Sequence, residues 1–63
     1  MDIRMQDEGS LVILFPMSAK GDDWLKANLD ENGPRWVHGY VVERQFVNPI
    51  LGGMYEAGLK VRV

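Results

Sequence analysis

Asn48-Pro-Ile-Leu-Gly-Gly-Met-Tyr-Glu-Ala-Gly58, followed by Leu59-Lys-Val-Arg-Val63, spells out a helix, its end and the strand after it. Asparagine is a good N-cap, proline suits the first helical position, and glycine suits the left-handed residue just past a helix end. Beyond Gly58, Leu59, Val61 and Val63 alternate with Lys60 and Arg62, the period of a strand with one face turned inward. Gly52 and Gly53 sit inside the helix, where each costs about 1 kcal/mol relative to alanine. They are therefore expected to permit a close approach, with the helix lying over the sheet near Gly39.

Upstream, Leu11-Val-Ile-Leu-Phe15 is a short apolar run closed by Pro16, the pattern of a strand buried on both faces. It is expected to be the central strand. Ahead of it, Asp2-Ile-Arg-Met5 alternates weakly. Chain ends are often loose, so residues 1–10 are read as a tail, with an antiparallel edge strand over the first five residues as the alternative. Ser18 is the expected cap of a first helix, with Asp22 and Asp23 at its positive end and Trp24, Leu25, Ala27 and Leu29 along its apolar side. That helix should stop near Leu29, because Asp30-Glu-Asn-Gly-Pro34 is made of turn formers. Trp36–Glu43 then reads as one strand, with Trp36, His38, Tyr40 and Val42 on one face and Val37, Gly39, Val41 and Glu43 on the other.

The expected fold is α+β: a single domain over residues 11–63 in the order strand, helix, strand, helix, strand. Right-handed crossovers place both helices on one face of a three-stranded parallel or mixed sheet and leave the other face bare. The chain has 63 residues, and a domain of that size buries only about 60% of the surface its unfolded form exposes. Stability must come from good packing or from a partner subunit, since there is no cysteine and a lone His38 makes a structural zinc site improbable. Nine acidic residues against seven basic ones give a formal charge of −2, which argues against a dedicated nucleic-acid binder. No apolar run approaches membrane-spanning length and the N-terminus lacks a signal peptide's pattern, so a cytoplasmic location is expected.

The pattern Pro16-x-Ser18, Trp24-Leu25, Asn28, Trp36, Gly39, Val41-Val42-Glu43, Phe46, Ile50, Gly53-Met54 and Gly58-Leu59-x-Val61 resembles a family of short uncharacterised proteins from bacterial genomes, plasmids and phages. The resemblance runs from about Leu11 to Val63 and rests on caps, core positions and close-packing glycines. It implies kinship and no chemistry. Ser18-Ala-Lys-Gly21 stands where the family pattern has a Thr-Pro-Ala-type opening.

Catalytic candidates are weak. Asp22 and Asp23, or Asp30 and Glu31, are adjacent and do not face each other on a helix or turn. Asp30-x-Asn32-Gly33 opens like a calcium loop but lacks the later ligands. A Ser18–His38 triad has no nucleophile-elbow motif behind it, and Gly52-Gly53 is not a phosphate loop. What suits recognition is Trp36, His38 and Tyr40 flanked by Arg35 and Arg44: on one strand face these anchor a protein interface or stack on bases, and turned toward the helices they are core. The expected function is a non-catalytic interaction module, of the accessory or inhibitory kind that mobile elements carry, acting through the bare sheet face or as a homodimer. Its partner is a protein or a second copy, with no cofactor, metal or membrane. Weak single-stranded nucleic-acid binding through Trp36 and Tyr40 is the alternative.

Overall fold

A computed structural model describes residues 1–30 and 32–63; Glu31, one half of the Asp30–Glu31 pair, lies outside the described residues. In chain order the elements are β1 (Ile3–Glu8), β2 (Leu11–Pro16), α1 (Ala19–Asn28), β3 (Arg35–Trp36), β4 (Gly39–Glu43), α2 (Val47–Glu56) and β5 (Val61–Arg62). A 3-10 turn at Arg44–Phe46 runs directly into α2. The strands form one five-stranded mixed sheet in the order β3-β4-β2-β1-β5, antiparallel throughout except for the parallel β1–β5 pair. The apolar run is the central strand, as its composition predicts. The sheet has two more strands than the three expected.

The first extra strand is the N-terminal segment, which follows the antiparallel alternative and not the tail, and lies inside the sheet instead of at its edge. It pairs with β2 along its whole length, from Ile3 opposite Pro16 to Glu8 opposite Leu11. Gly9 and Ser10 form the two-residue loop between them, and Gly9 takes φ 82°, the left-handed first position that favours glycine in tight hairpins. Ile3 is fully buried, so the terminus has an apolar anchor that its weak alternation hides. Residues 1–10 therefore belong to the same sheet as the rest of the chain.

The second extra strand comes from Trp36–Glu43, which is a hairpin and not a single strand. Arg35 pairs with Tyr40 and Trp36 with Gly39 around a loop of Val37 and His38. This reversal also changes the expected topology: the chain leaves α1, forms the edge strand β3, and turns back so that β4 lies antiparallel to β2.

Alternation assigns the sheet's two faces. Ile3 and Met5 of β1, Val12 and Leu14 of β2, and Tyr40 and Val42 of β4 join Leu25 of α1, Val47 and Met54 of α2 and Leu59 in one core. Both helices thus pack into the same cluster, which burial of apolar surface holds together. The α1 cap is as expected: Ser18 Oγ accepts from the Gly21 N–H at 3.0 Å, and the Leu29 N–H closes the last turn on the Leu25 carbonyl.

The α2 start differs from expectation. Asn48 makes no cap and Pro49 is the third helical residue, because the 3-10 turn carries the helix back to Val47. Proline is tolerated there since the first four helical N–H groups have no partner in the helix. Its end matches the reading of Gly58, which takes φ 78°. The Leu59 N–H reaches the Met54 carbonyl and the Gly58 N–H the Tyr55 carbonyl, a Schellman closure. The strand beyond is shorter than its alternation suggests: Leu59 is buried, Val61 half-buried and Val63 exposed.

The helix glycines do not meet Gly39. A Cβ on Gly53 would lie 3.1 Å from the Trp24 ring, so this glycine admits an α1 side chain, while a Cβ on Gly52 meets nothing within 4 Å. Gly39 serves the opposite face, where its missing Cβ leaves room for Ile13 and Phe15. Gly52→Ala is expected to stabilise the fold by about 0.5–1 kcal/mol, and Gly53→Leu to destabilise it by about 1–3 kcal/mol through crowding at Trp24. Urea melts of the two variants check this pair of opposite signs.

One polar cluster ties the chain ends together. Asp2 Oδ2 accepts from the Lys60 N–H at 2.8 Å and Asp2 Oδ1 from the Ser18 hydroxyl at 2.7 Å. The Lys60 N–H bond, then the Ser18 bond, hold the Asp2 carboxyl below its ordinary value of 3.8. The Gly9 N–H and Arg44 do the same to Asp7. A lowered folded value stabilises the native state above the ordinary carboxylate range, and that contribution disappears as pH falls through the lowered value. Thermal unfolding midpoints should therefore drop on acidification below about pH 4, and less steeply in an Asp2→Asn, Asp7→Asn variant.

Candidate functional site: the uncovered sheet face

The face of the sheet away from the helices carries Arg4, Gln6 and Glu8 of β1, Leu11, Ile13 and Phe15 of β2, Trp36 of β3, Gly39, Val41 and Glu43 of β4, and Arg62 of β5. Pairing arranges them in three rows across the strands. Glu8, Leu11 and Glu43 form the first row, Gln6, Ile13 and Val41 the middle row, and Arg62, Arg4, Phe15, Gly39 and Trp36 the third. One end of the face is acidic, the centre apolar and the other end basic and aromatic.

The third row is partly closed over itself. Phe15 is only 4% exposed although no helix covers it. The Arg4 guanidinium lies 4.6 Å above its ring, and the His38 and Trp36 rings meet it edge-on with centroids 5.2 and 6.4 Å away. Such contacts follow from the ring's negative face and positive edge. The first row is exposed, and in the middle row Gln6 and Val41 are half-buried around a largely buried Ile13. An open depression of about 350 Å³ lies between Leu11, Ile13, Val41, Arg35 and Trp36, with Gln6 and Glu8 along its rim. Gln6 donates to Glu8 at 2.9 Å and Arg4 to Gln6 at 3.4 Å, which lines up a polar margin beside the apolar strip.

The five residues singled out by sequence do not form one surface. Trp36 is exposed at the edge of the uncovered face, and the His38 ring lies against Phe15 on that same face. Tyr40 is on the helix side, 2% exposed, and its hydroxyl has no hydrogen-bond partner among the described residues. The hairpin accounts for this separation: the Val37–His38 loop ends the alternation that would have put Trp36, His38 and Tyr40 together. The two aromatic platforms expected to stack on bases are therefore on opposite sides of the sheet.

Arg35 stacks 3.9 Å over the Tyr40 ring and donates to the Gly39 and His38 carbonyls, so it braces its own hairpin. Arg44 donates to the Gly9 carbonyl and pairs with Asp7, clamping the β1–β2 loop. Sequence reasoning missed Arg4, Glu8, Leu11, Glu43 and Arg62 as members of the face. The signal was present in the alternation of β1, but only the β1–β2 register brings Arg4 and Glu8 alongside Phe15 and Leu11.

The hairpin tip is strained. Val37 takes φ 58°, a region costly for a β-branched residue, and it is three-quarters exposed. Backbone strain of this kind collects where surfaces bind. Among the described residues no cluster of three or more metal-ligating side chains occurs, and no helix is long and apolar enough to cross a membrane. No protein-family model, curated protein or solved structure matches the chain. Val37→Gly is expected to raise stability by about 1 kcal/mol by relieving the left-handed valine, which calorimetry can measure.

Proposed function

We propose that this protein is a non-catalytic interaction module that docks a protein, or a second copy of itself, on the uncovered sheet face. The observation behind the proposal is the apolar strip in which exposed Leu11 and half-buried Val41 flank the largely buried Ile13 between Trp36 and a polar margin, in a chain whose two helices are both used on the other side. An apolar centre with a polar rim and an aromatic at its edge is the composition of a protein interface. The charges on the face are mixed in sign, which suits a protein surface better than a phosphate backbone. An accessory or inhibitory role in a bacterial or phage setting, in the cytoplasm, and kinship with the short proteins it resembles are parts of the same proposal.

A photo-crosslinking residue at position 11 or 36 in the living host tests the reading. Position 55 on α2 serves as the control, since Tyr55 is equally exposed but lies off this face. Adducts that form from positions 11 and 36, and not from 55, are expected. Adducts from 55 alone would sink the proposal. Single-stranded nucleic acid is the second reading, resting on exposed Trp36 beside the Arg4–Arg62 end; salt-sensitive quenching of tryptophan fluorescence by oligonucleotides, lost in Trp36→Ala, would favour it.

A further inference from the structure

We infer that the occupant of this face is a second copy of the chain, packed face to face about a two-fold axis that runs along the middle row Gln6–Ile13–Val41. The inference rests on the docking reading above and narrows it to a homodimer of stated geometry.

The charge layout carries the argument. An axis lying between two stacked sheets and directed across their strands exchanges the first and third rows, so the acidic row of one copy meets the basic row of the other. Because the axis crosses the strands, β1 of one copy lies over β1 of the other, and Glu8 comes opposite Arg4 at both symmetry-related positions. Leu11 comes opposite Phe15 in the same way, beside the guanidinium that already covers that ring. Face-to-face sheets pack about 10 Å apart, a gap that an arginine and a glutamate span together. The alternative axis, along the strands through β2, exchanges β1 with β4 and would set Glu8 against Glu43 of the other copy. Like charges facing across an interface oppose association, so the charges select one of the two arrangements.

The ion pairs within the chain do not involve the charges of this face. Asp22 pairs with Lys26 and Asp7 with Arg44. Among the described residues, Glu8, Glu43, Arg4 and Arg62 join no ion pair, although both signs are present on one face of one small sheet. They are separated by the apolar middle row, about 13 Å apart along the strand at the usual rise per residue. A second copy turned end for end sets Glu8 against Arg4 at both symmetry-related positions, while Glu43 comes opposite Gly39.

Two charge exchanges decide the matter, because each is wrong alone and right together. Glu8→Arg makes both members of the contact basic, and Arg4→Glu makes both acidic. Sedimentation equilibrium should find the unaltered chain dimeric, and each variant's self-association weakened by about tenfold or more. An equimolar mixture of the two should recover a heterodimer, with native mass spectrometry reading one of each. Neutral Glu8→Gln should fall between, and circular dichroism of each variant separates weak association from failure to fold. An unaltered chain that stays monomeric into the millimolar range overturns this inference and leaves docking of a different protein standing. A dimer indifferent to both exchanges, or variants that gain nothing on mixing, overturns the charge-matched geometry. Failure of crosslinking from positions 11 and 36 would instead remove the docking reading itself.

Discussion

Asp2 is the residue on which the closure of this sheet depends. Its carboxylate takes the Lys60 N–H and the Ser18 hydroxyl, its backbone N–H donates to the Lys60 carbonyl, and its own carbonyl accepts from the Met17 N–H. Those bonds join the start of β1, the end of β2, the cap of α1 and the approach to β5 at one point. Ser18, while donating to Asp2, accepts from Gly21, and Gly21 has no Cβ because one would lie 2.2 Å from the Asp2 carbonyl oxygen. The clasp thus requires a carboxylate, a hydroxyl and a glycine in register. In a chain this small, such polar clasps and good packing stand in for the disulfide or metal that many short domains need.

The clasp also determines what the sheet can present. With β1 held between β2 and β5, the central strand has a neighbour on each side, and its helix-side residues are covered by α1 and α2. Its other residues, Leu11, Ile13 and Phe15, have no helix to cover them. Phe15 is sealed by Arg4, Trp36 and His38 over the space that Gly39 leaves, and Ile13 is largely buried among its neighbours. Leu11 and Trp36 remain open. The face is therefore neither a finished core nor a polar exterior, and its charges are sorted by sign to opposite ends of an apolar strip.

Several features were legible before any fold was built. The buried central strand, the Ser18 cap, the helix stop near Leu29 and the left-handed Gly58 each depend on a few neighbouring residues whose conformational preferences agree. The failures share a cause. Val37-His38 contains no turn-forming residue, and the turn holds valine in a left-handed conformation that valine avoids, so local preference points away from it. Asn48-Pro49 looked like a start, but the 3-10 turn before it had already begun the helix. The N-terminal strand was legible only as the alternative to a tail, because its stability comes from Lys60, Ser18 and Pro16, all remote in sequence.

By itself, the sequence determined the α+β class, both helices, the central strand and the existence of an apolar face too large for two short helices to cover, since these follow from local preference and periodicity. Only the tertiary structure decided which residues share that face. A strand's alternation tells which side chains go together and leaves open which side they take, and a two-residue hairpin loop breaks the alternation altogether. Tyr40 accordingly went to the core and Trp36 to the surface. Arg4 and Glu8 joined the same face because pairing with β2 brought them there, and pairing is a long-range property that no local stretch encodes.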